Sequence, residues 1–180
     1  SALLTIWSLP NDKIVPVIYA PKSIRFGDSP DELVKALEGR GYDPKSEVFI
    51  CNNPEQCKPL IDTYNPSEIQ RVSVPQQLVP EKVSPVEYQI DITGSQGKFI
   101  LVFNNTYHPG WEAKIGEREP LKHIIANGYA NGFVVDQLGD FQLKLYYTPQ
   151  RELDYAYSIS KWGMAVGISI LVGLWLFKLR

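Results

Sequence analysis

VEYQIDIT, residues 86–93, decides the architecture. Val86, Tyr88, Ile90 and Ile92 alternate with Glu87, Gln89, Asp91 and Thr93. A period of two predicts a strand with one face buried and the other solvated. Gly94–Gly97 reads as a turn, and Phe99–Phe103 (FILVF) is continuously apolar. That run predicts a central strand covered on both sides. Trp111, Ala113 and Ile115 alternate again before a turn at Gly116, and so do Phe141, Leu143, Leu145 and Tyr147, with Gln142, Lys144 and Tyr146 opposite. Leu121–Ala126 and Phe133–Asp136 fill the interval. Short strands with turn signals roughly every 8–12 residues predict a mainly β fold, an antiparallel β-sandwich of jelly-roll-like form, over residues 69–150.

Upstream, residues 1–68 read as a small α/β segment. Ile14–Ala20 (IVPVIYA) and Ile24–Phe26 are short apolar strands interrupted by proline. Ser29, Pro30 and Glu32 form the start signal of a helix, with a capping box and proline at its first position. Leu33, Val34 and Leu37 make its expected apolar face, and Gly39 or Gly41 ends it. Asp28, Asp31 and Glu32 complement the helix dipole. Glu47–Cys51 (EVFIC) is the next strand, and Asn53-Pro54 opens a second short helix holding Leu60 and Ile61. No glycine-rich phosphate loop is present in this segment.

The chain of 180 residues carries a formal net charge of −2, which gives no electrostatic case for a nucleic-acid partner. Fourteen prolines and thirteen glycines fit a turn-rich β fold better than a helical bundle. Cys51 and Cys57, with Pro54 between them, are spaced for a disulfide-closed loop in an oxidising compartment, the alternative being two free thiols. His108 and His123 lie too far from these cysteines in sequence to suggest zinc. No metal or cofactor is expected.

The C-terminus has a different character. From Trp162 to Phe177 the sequence WGMAVGISILVGLWLF holds no charge, with Lys161 before it and Lys178 and Arg180 after it. Extending back to Tyr155 gives about 23 residues, enough to span a hydrocarbon core of roughly 30 Å. Tyr155, Tyr157, Trp162 and Trp175 stand near the ends, where amphipathic rings prefer the interface. Gly163, Gly167 and Gly173 suit close helix packing in lipid. Residues 161–180 are therefore expected to be a transmembrane helix contacting membrane lipid, with 151–160 as a linker. Lys178 and Arg180 place the C-terminus in the cytoplasm and residues 1–154 outside, at the cell membrane. The sequence starts at Ser1 without a signal peptide. An exported domain anchored in this way is expected to be the tail of a larger membrane protein, the remainder of which is its first partner.

The densest local signature is Asn104-Asn105-Thr106-Tyr107-His108-Pro109-Gly110-Trp111, followed by Ala126-Asn127-Gly128-Tyr129 and Tyr146-Tyr147-Thr148-Pro149. In this order, LVFNNTYHPGW, EAKIG leading to a hairpin, ANGYANGF, GDFQLKLYYTP and a final apolar helix resemble a known C-terminal extracytoplasmic domain. It belongs to membrane glycosyltransferases of the GT-C type, with YfhO-like bacterial proteins and archaeal relatives as examples. The resemblance covers residues 83–180 well and 1–68 loosely. It implies an appendage of an enzyme that uses a lipid-linked sugar donor, with the catalytic acid on early membrane loops outside this chain. Such an appendage packs against those loops, binds glycan, or contacts a partner.

Two readings of the cluster stand side by side. In the structural one, Pro109-Gly110 turns the chain, Trp111 fills the core and Tyr107 packs beside it. In the recognition one, aromatic rings and polar groups form a sugar platform, and Tyr107, His108, Asn127 and Tyr129 are the candidate glycan-binding residues. Trp111 alternates inward with Ala113 and Ile115, which leaves His108 and Tyr129 as the better platform members. Asn104-Asn105-Thr106 is also a formal glycosylation sequon. Glu112, Glu117, Glu119 and Asp136 occupy solvent-facing strand and hairpin positions, a poor match to the paired carboxylates of glycoside hydrolysis. A membrane-anchored carbohydrate- or protein-binding module without an enzymatic parent is the second functional class. An assembly subunit packing laterally through the glycines of its last helix is the third.

Overall fold

The computed structural model describes residues 14–39, 41–51, 72–149, 157, 159–164, 167 and 169. Its elements are β1 (Ile18–Tyr19), β2 (Ser23–Gly27), α1 (Pro30–Glu38), β3 (Glu47–Cys51), β4 (Gln77–Ser84), β5 (Glu87–Ser95), β6 (Phe99–Thr106), β7 (Trp111–Ile115), β8 (Lys122–Ala126), β9 (Ala130–Val135) and β10 (Gly139–Tyr147). One four-stranded sheet runs β1-β6-β9-β8 and a second runs β4-β5-β10-β7. Every pairing within both is antiparallel. The fold is mainly β, as the period-two patterning predicts.

The two sheets face each other across a core of Ile90, Ile92, Leu143 and Leu145 from one side and Phe99, Leu101, Phe103 and Phe133 from the other. Their pleats put alternate residues into this core. Asp91 and Thr93, between the buried isoleucines of β5, are exposed as expected. Trp111 and Ala113 point inward, with Trp111 only 7 % exposed. Each fully buried apolar side chain of this size contributes roughly 1.5–3 kcal/mol.

A second core lies on the other face of the first sheet. Ile100, Val102, Ile124, Ala126 and Ala130 pack there against Tyr19, Val48 and Ile50. The covering layer is a β-α-β unit in which β2 and β3 pair in parallel from Ser23↔Glu47 to Gly27↔Cys51. β6 thus lies between two cores, which accounts for its unbroken apolar run. The first strand of the N-terminal segment belongs to the sandwich itself, because Ile18 and Tyr19 pair with Phe103 and Val102.

Three local expectations are corrected. Gly116 opens a turn as expected, at φ 58° with the Arg118 N–H donating to the Ile115 carbonyl at 3.3 Å, but the hairpin that EAKIG is expected to lead to does not form between β7 and β8, because these strands belong to different sheets. The chain crosses between them after the Leu121 N–H donates to the Ala113 carbonyl at 2.8 Å. Crossing places Ile124 and Ala126 in the second core, where they are covered by the α/β layer. The true hairpin joins β8 to β9. In α1 the buried residues are Leu33 and Ala36, while Val34 and Leu37 are exposed. The contact therefore follows an i, i+3 row and not the broader face. Ser29 is the N-cap with extended backbone but makes no side-chain cap bond, and the Glu32 carboxylate accepts from Asp28 N–H at 3.3 Å. The box closes one residue earlier than its sequence signature implies.

Among the described residues no helix is long and apolar enough to cross a membrane. Residues 157, 159–164, 167 and 169 are helical, and most of the expected span 161–180 lies outside the described residues. So do the second short helix after Pro54 and most of the linker 151–160.

Candidate functional site

The signature segments meet at one pole of the sandwich. β6 and β9 pair regularly from Phe99↔Val135 to Phe103↔Asn131, and then Thr106 faces Ala130. Asn104 and Asn105 are the extra residues of this bulge. A bulge leaves backbone groups without ladder partners, and Asn131 supplies them. Its Nδ2 donates to the carbonyls of Asn105 (2.8 Å) and Thr106 (3.2 Å), and its Oδ1 accepts from His108 N–H at 3.1 Å. Asn131 is 0 % exposed.

Asn131 Oδ1 also accepts from His123 Nε2 at 3.1 Å. This fixes the neutral tautomer with the proton on Nε2. The His123 ring stacks on Phe133 at 4.6 Å and 12°, and the Tyr107 ring lies tilted beside it at 4.8 Å and 34°. Burial lowers the His123 pKa from 6.5, partly offset by the Asn131 bond. The unfolded chain therefore binds a proton more readily than the native one. Stability is full above about pH 6.5 and falls as the pH drops below that value toward the lowered native pKa. We expect urea midpoints between pH 7 and pH 5 to fall less in His123→Gln than in the parent protein. Equal slopes would remove His123 from the acid response.

The candidate residues part company here. Asn127 is buried and turned inward. Its Oδ1 accepts from Tyr42 Oη (2.7 Å) and Phe49 N–H (2.8 Å), its Nδ2 donates to Tyr19 Oη (3.2 Å), and its own N–H reaches the Phe49 carbonyl (2.9 Å). Asn127 and Gly128 have φ of 53° and 73°, the positive pair that a tight hairpin turn requires and Asn-Gly adopts at least cost. Leu33 of α1 seats on this turn, since a Cβ on Gly128 would lie 2.8 Å from its Cδ2. Asn127 thus clamps the α/β layer to the sandwich. Burial raises the Tyr19 pKa to about 12, a shift the Asn127 bond partly opposes. Burial likewise raises that of Tyr42.

Tyr129 projects outward and is 51 % exposed. Its hydroxyl donates to Asn104 Oδ1, and its carbonyl accepts from Tyr107 N–H at 2.6 Å. Tyr107 is half-buried against His123. His108 is exposed, with Nδ1 accepting from Gly110 N–H at 3.0 Å and Nε2 3.3 Å from the Tyr147 hydroxyl. Because Nδ1 accepts, the ring proton sits on Nε2 and donates to that hydroxyl. Below it runs an aromatic series, Tyr147 to Trp111 at 5.3 Å and Trp111 to Phe103 at 4.7 Å. Gly110 is held under Pro149, with a Cβ there falling 2.7 Å from the proline ring.

Tyr107, His108 and Tyr129 therefore share one surface, and Asn127 stands beneath it. Asn131 and His123, central to the geometry, were not candidates on sequence grounds. A polar residue opposite a bulge has no periodic signature. Glu112 accepts from Tyr146 Oη at 2.7 Å on β7, and Glu117 and Glu119 lie on the exposed turn after it. No group of three His, Cys, Asp or Glu side chains able to hold a metal occurs among the described residues. Cys51 ends β3 half-buried and is not a free thiol. Cys57 lies outside the described residues. No family model, curated protein or solved structure matches this chain.

Proposed function

We propose that this chain is a non-catalytic extracytoplasmic domain of a polytopic membrane glycosyltransferase using a lipid-linked sugar donor. Residues 161–180 hold it to the membrane with the C-terminus in the cytoplasm, and it serves cell-surface glycan or glycoprotein assembly. The observation that carries this is the convergence of the signature segments. LVFNNTYHPGW forms β6, its bulge and the start of β7. ANGYANGF forms the end of β8, the turn and β9, and GDFQLKLYYTP forms β10 and the exit. Asn131 joins the second segment to the first, and Thr148 N–H donates to the Gly110 carbonyl at 2.8 Å, joining the third. Segments spread over residues 101–149 thus meet at one pole, from which the chain leaves toward its apolar end. The exposed apolar side chains of Tyr157, Ile159, Trp162 and Met164 in the helical stretch suit lipid. Two four-stranded antiparallel sheets face to face support the reading of a jelly-roll-like sandwich.

The test is sugar transfer from a polyprenyl-phosphate donor by the membrane-embedded parent. Deleting residues 14–149 should depress transfer strongly while the membrane portion still inserts. Undiminished transfer would make the domain dispensable, and a native gene without upstream membrane helices would remove the parent altogether.

A membrane-anchored carbohydrate-binding module is the second reading, favoured by the exposed ring of Tyr129 beside Asn104. Aromatic faces with adjacent amides suit sugar rings. A glycan array probed with the protein and with Tyr129→Ala should show binding lost in the variant. Absence of binding in both would leave the appendage reading alone.

The same placement exposes the domain to an oxidising compartment, and we extend the proposal to a Cys51–Cys57 disulfide. Denatured but unreduced protein should then take up no thiol reagent at either cysteine, and reduction should open both. Labelling of both without reductant would refute the bridge.

A further inference from the structure

The two poles of the sandwich differ in charge. At the pole just described, segments 14–17, 85–86, 107–110, 127–129 and 148–149 contain no Asp, Glu, Lys or Arg. At the opposite pole, turns 96–98, 116–121 and 136–138 carry Lys98, Glu117, Arg118, Glu119 and Asp136. The strand registers place these groups at opposite ends: Ser84↔Glu87 and Tyr147↔Trp111 at one, Gly139↔Ser95 and Phe99↔Val135 at the other. The uncharged pole also exposes Ile14, Val17, Val83 and Tyr129, each more than half accessible. Charge stands only on its flanks: Glu87 follows the 85–86 turn, α1, whose Leu33 seats on the 127–129 turn, carries Asp31, Glu32 and Lys35, and Asp43 and Lys45 precede β3.

A pole facing bulk water is normally built like the charged one, since exposed apolar side chains gathered together mark a contact surface. The chain itself indicates what makes the contact. It leaves this pole at Pro149, and Tyr155, where the apolar stretch begins, is the sixth residue after it. Six residues span at most about 20 Å, so the pole cannot be far from the headgroup layer. Amides, an imidazole and a tyrosine ring among aliphatic side chains match that layer, which accepts uncharged polar and amphipathic groups.

We propose that this pole rests on the lipid surface, with Ile14, Val17, Val83 and Tyr129 entering the headgroup region. The proposal rests on membrane anchoring by residues 161–180. Docking fixes the orientation of the sandwich, with β strands rising from the bilayer and the charged turns directed away from it. The surface bearing Tyr107, His108 and Tyr129 is then held at the depth where the sugar of a lipid-linked donor sits.

The experiment uses the full chain in phosphatidylcholine vesicles with nitroxide labels at Val17→Cys, Val83→Cys, Leu138→Cys and Trp162→Cys, one at a time. Each label is scored by relaxation with oxygen, which concentrates in lipid, against a water-soluble nickel chelate. All four sites are exposed, so labelling leaves the cores intact, and unlabelled parent sets the background from the native cysteines. Docking predicts a several-fold higher oxygen-to-nickel ratio at 17 and 83 than at 138. Ratios at 17 and 83 equal to that at 138, with 162 in lipid, would overturn docking and leave the anchor standing. Labels at 17 and 83 shielded from both reagents would replace lipid by a protein cover and equally overturn it. A water-exposed label at 162 would overturn docking and anchor together.

Discussion

Asn131→Leu should lower the unfolding free energy by about 3–4 kcal/mol, measured by urea denaturation at pH 7. Leucine preserves the shape of the side chain and removes its hydrogen bonds. The His108 N–H and the Asn105 and Thr106 carbonyls then lose their partner, and each buried orphan costs about 1–3 kcal/mol. The carbonyls belong to residues near the surface, where water recovers part of that cost, so the sum falls short of the maximum. His123 loses its acceptor as well. A cycle with His123→Leu should show coupling above about 0.5 kcal/mol, because the two side chains share one bond. A loss below about 1 kcal/mol for Asn131→Leu would mean that the bulge holds without its amide.

Asn127→Ala should cost about 4 kcal/mol, and unlike Asn131 its effect should be local. Alanine at φ 53° is strained by roughly 1–2 kcal/mol. The remainder comes from Phe49 N–H, Tyr42 and Tyr19 losing their partner. Asn127→Gly separates the two parts, since glycine accepts the backbone and supplies no bonds. It should recover about 1 kcal/mol relative to alanine. Amide exchange should quicken in β3 while β5 and β10 stay protected, as the α/β layer loosens from a sandwich that keeps its own core. Uniform quickening in all three strands would show that layer and sandwich unfold as one unit.

The strands were legible where one chemical rule governs each face. Ile90 and Ile92 in β5, and Leu143 and Leu145 in β10, bury on alternate positions as the period predicts. Tyr146, on the outer face, is nonetheless buried at 8 %, because its hydroxyl donates to Glu112 and its ring lies near Lys114 and Lys144. A half-buried polar face leaves no mark on periodicity. The crossover after Gly116 was illegible for a similar reason. GEREP has the composition of a hairpin turn, and only the packing of Ile124 and Ala126 decides which sheet the next strand joins. The site was legible as a set of segments and not as a geometry. ANG at 126–128 and again at 130–132 reads as the same turn chemistry twice. The fold uses the first asparagine as a left-handed clamp and the second as a stand-in for missing backbone partners.

The double covering of β6 shapes how this protein can change over evolutionary time. Phe99, Leu101 and Phe103 fill one core while Ile100 and Val102 fill the other. Along β10, the exposed alternate positions Gln142 and Lys144 can drift through polar residues without disturbing the interior. Along the first five residues of β6 no position is free to do so. Sequence divergence among descendants of this chain would therefore run in alternation through β5 and β10 and fall silent across FILVF, until it resumes at the asparagines of the bulge.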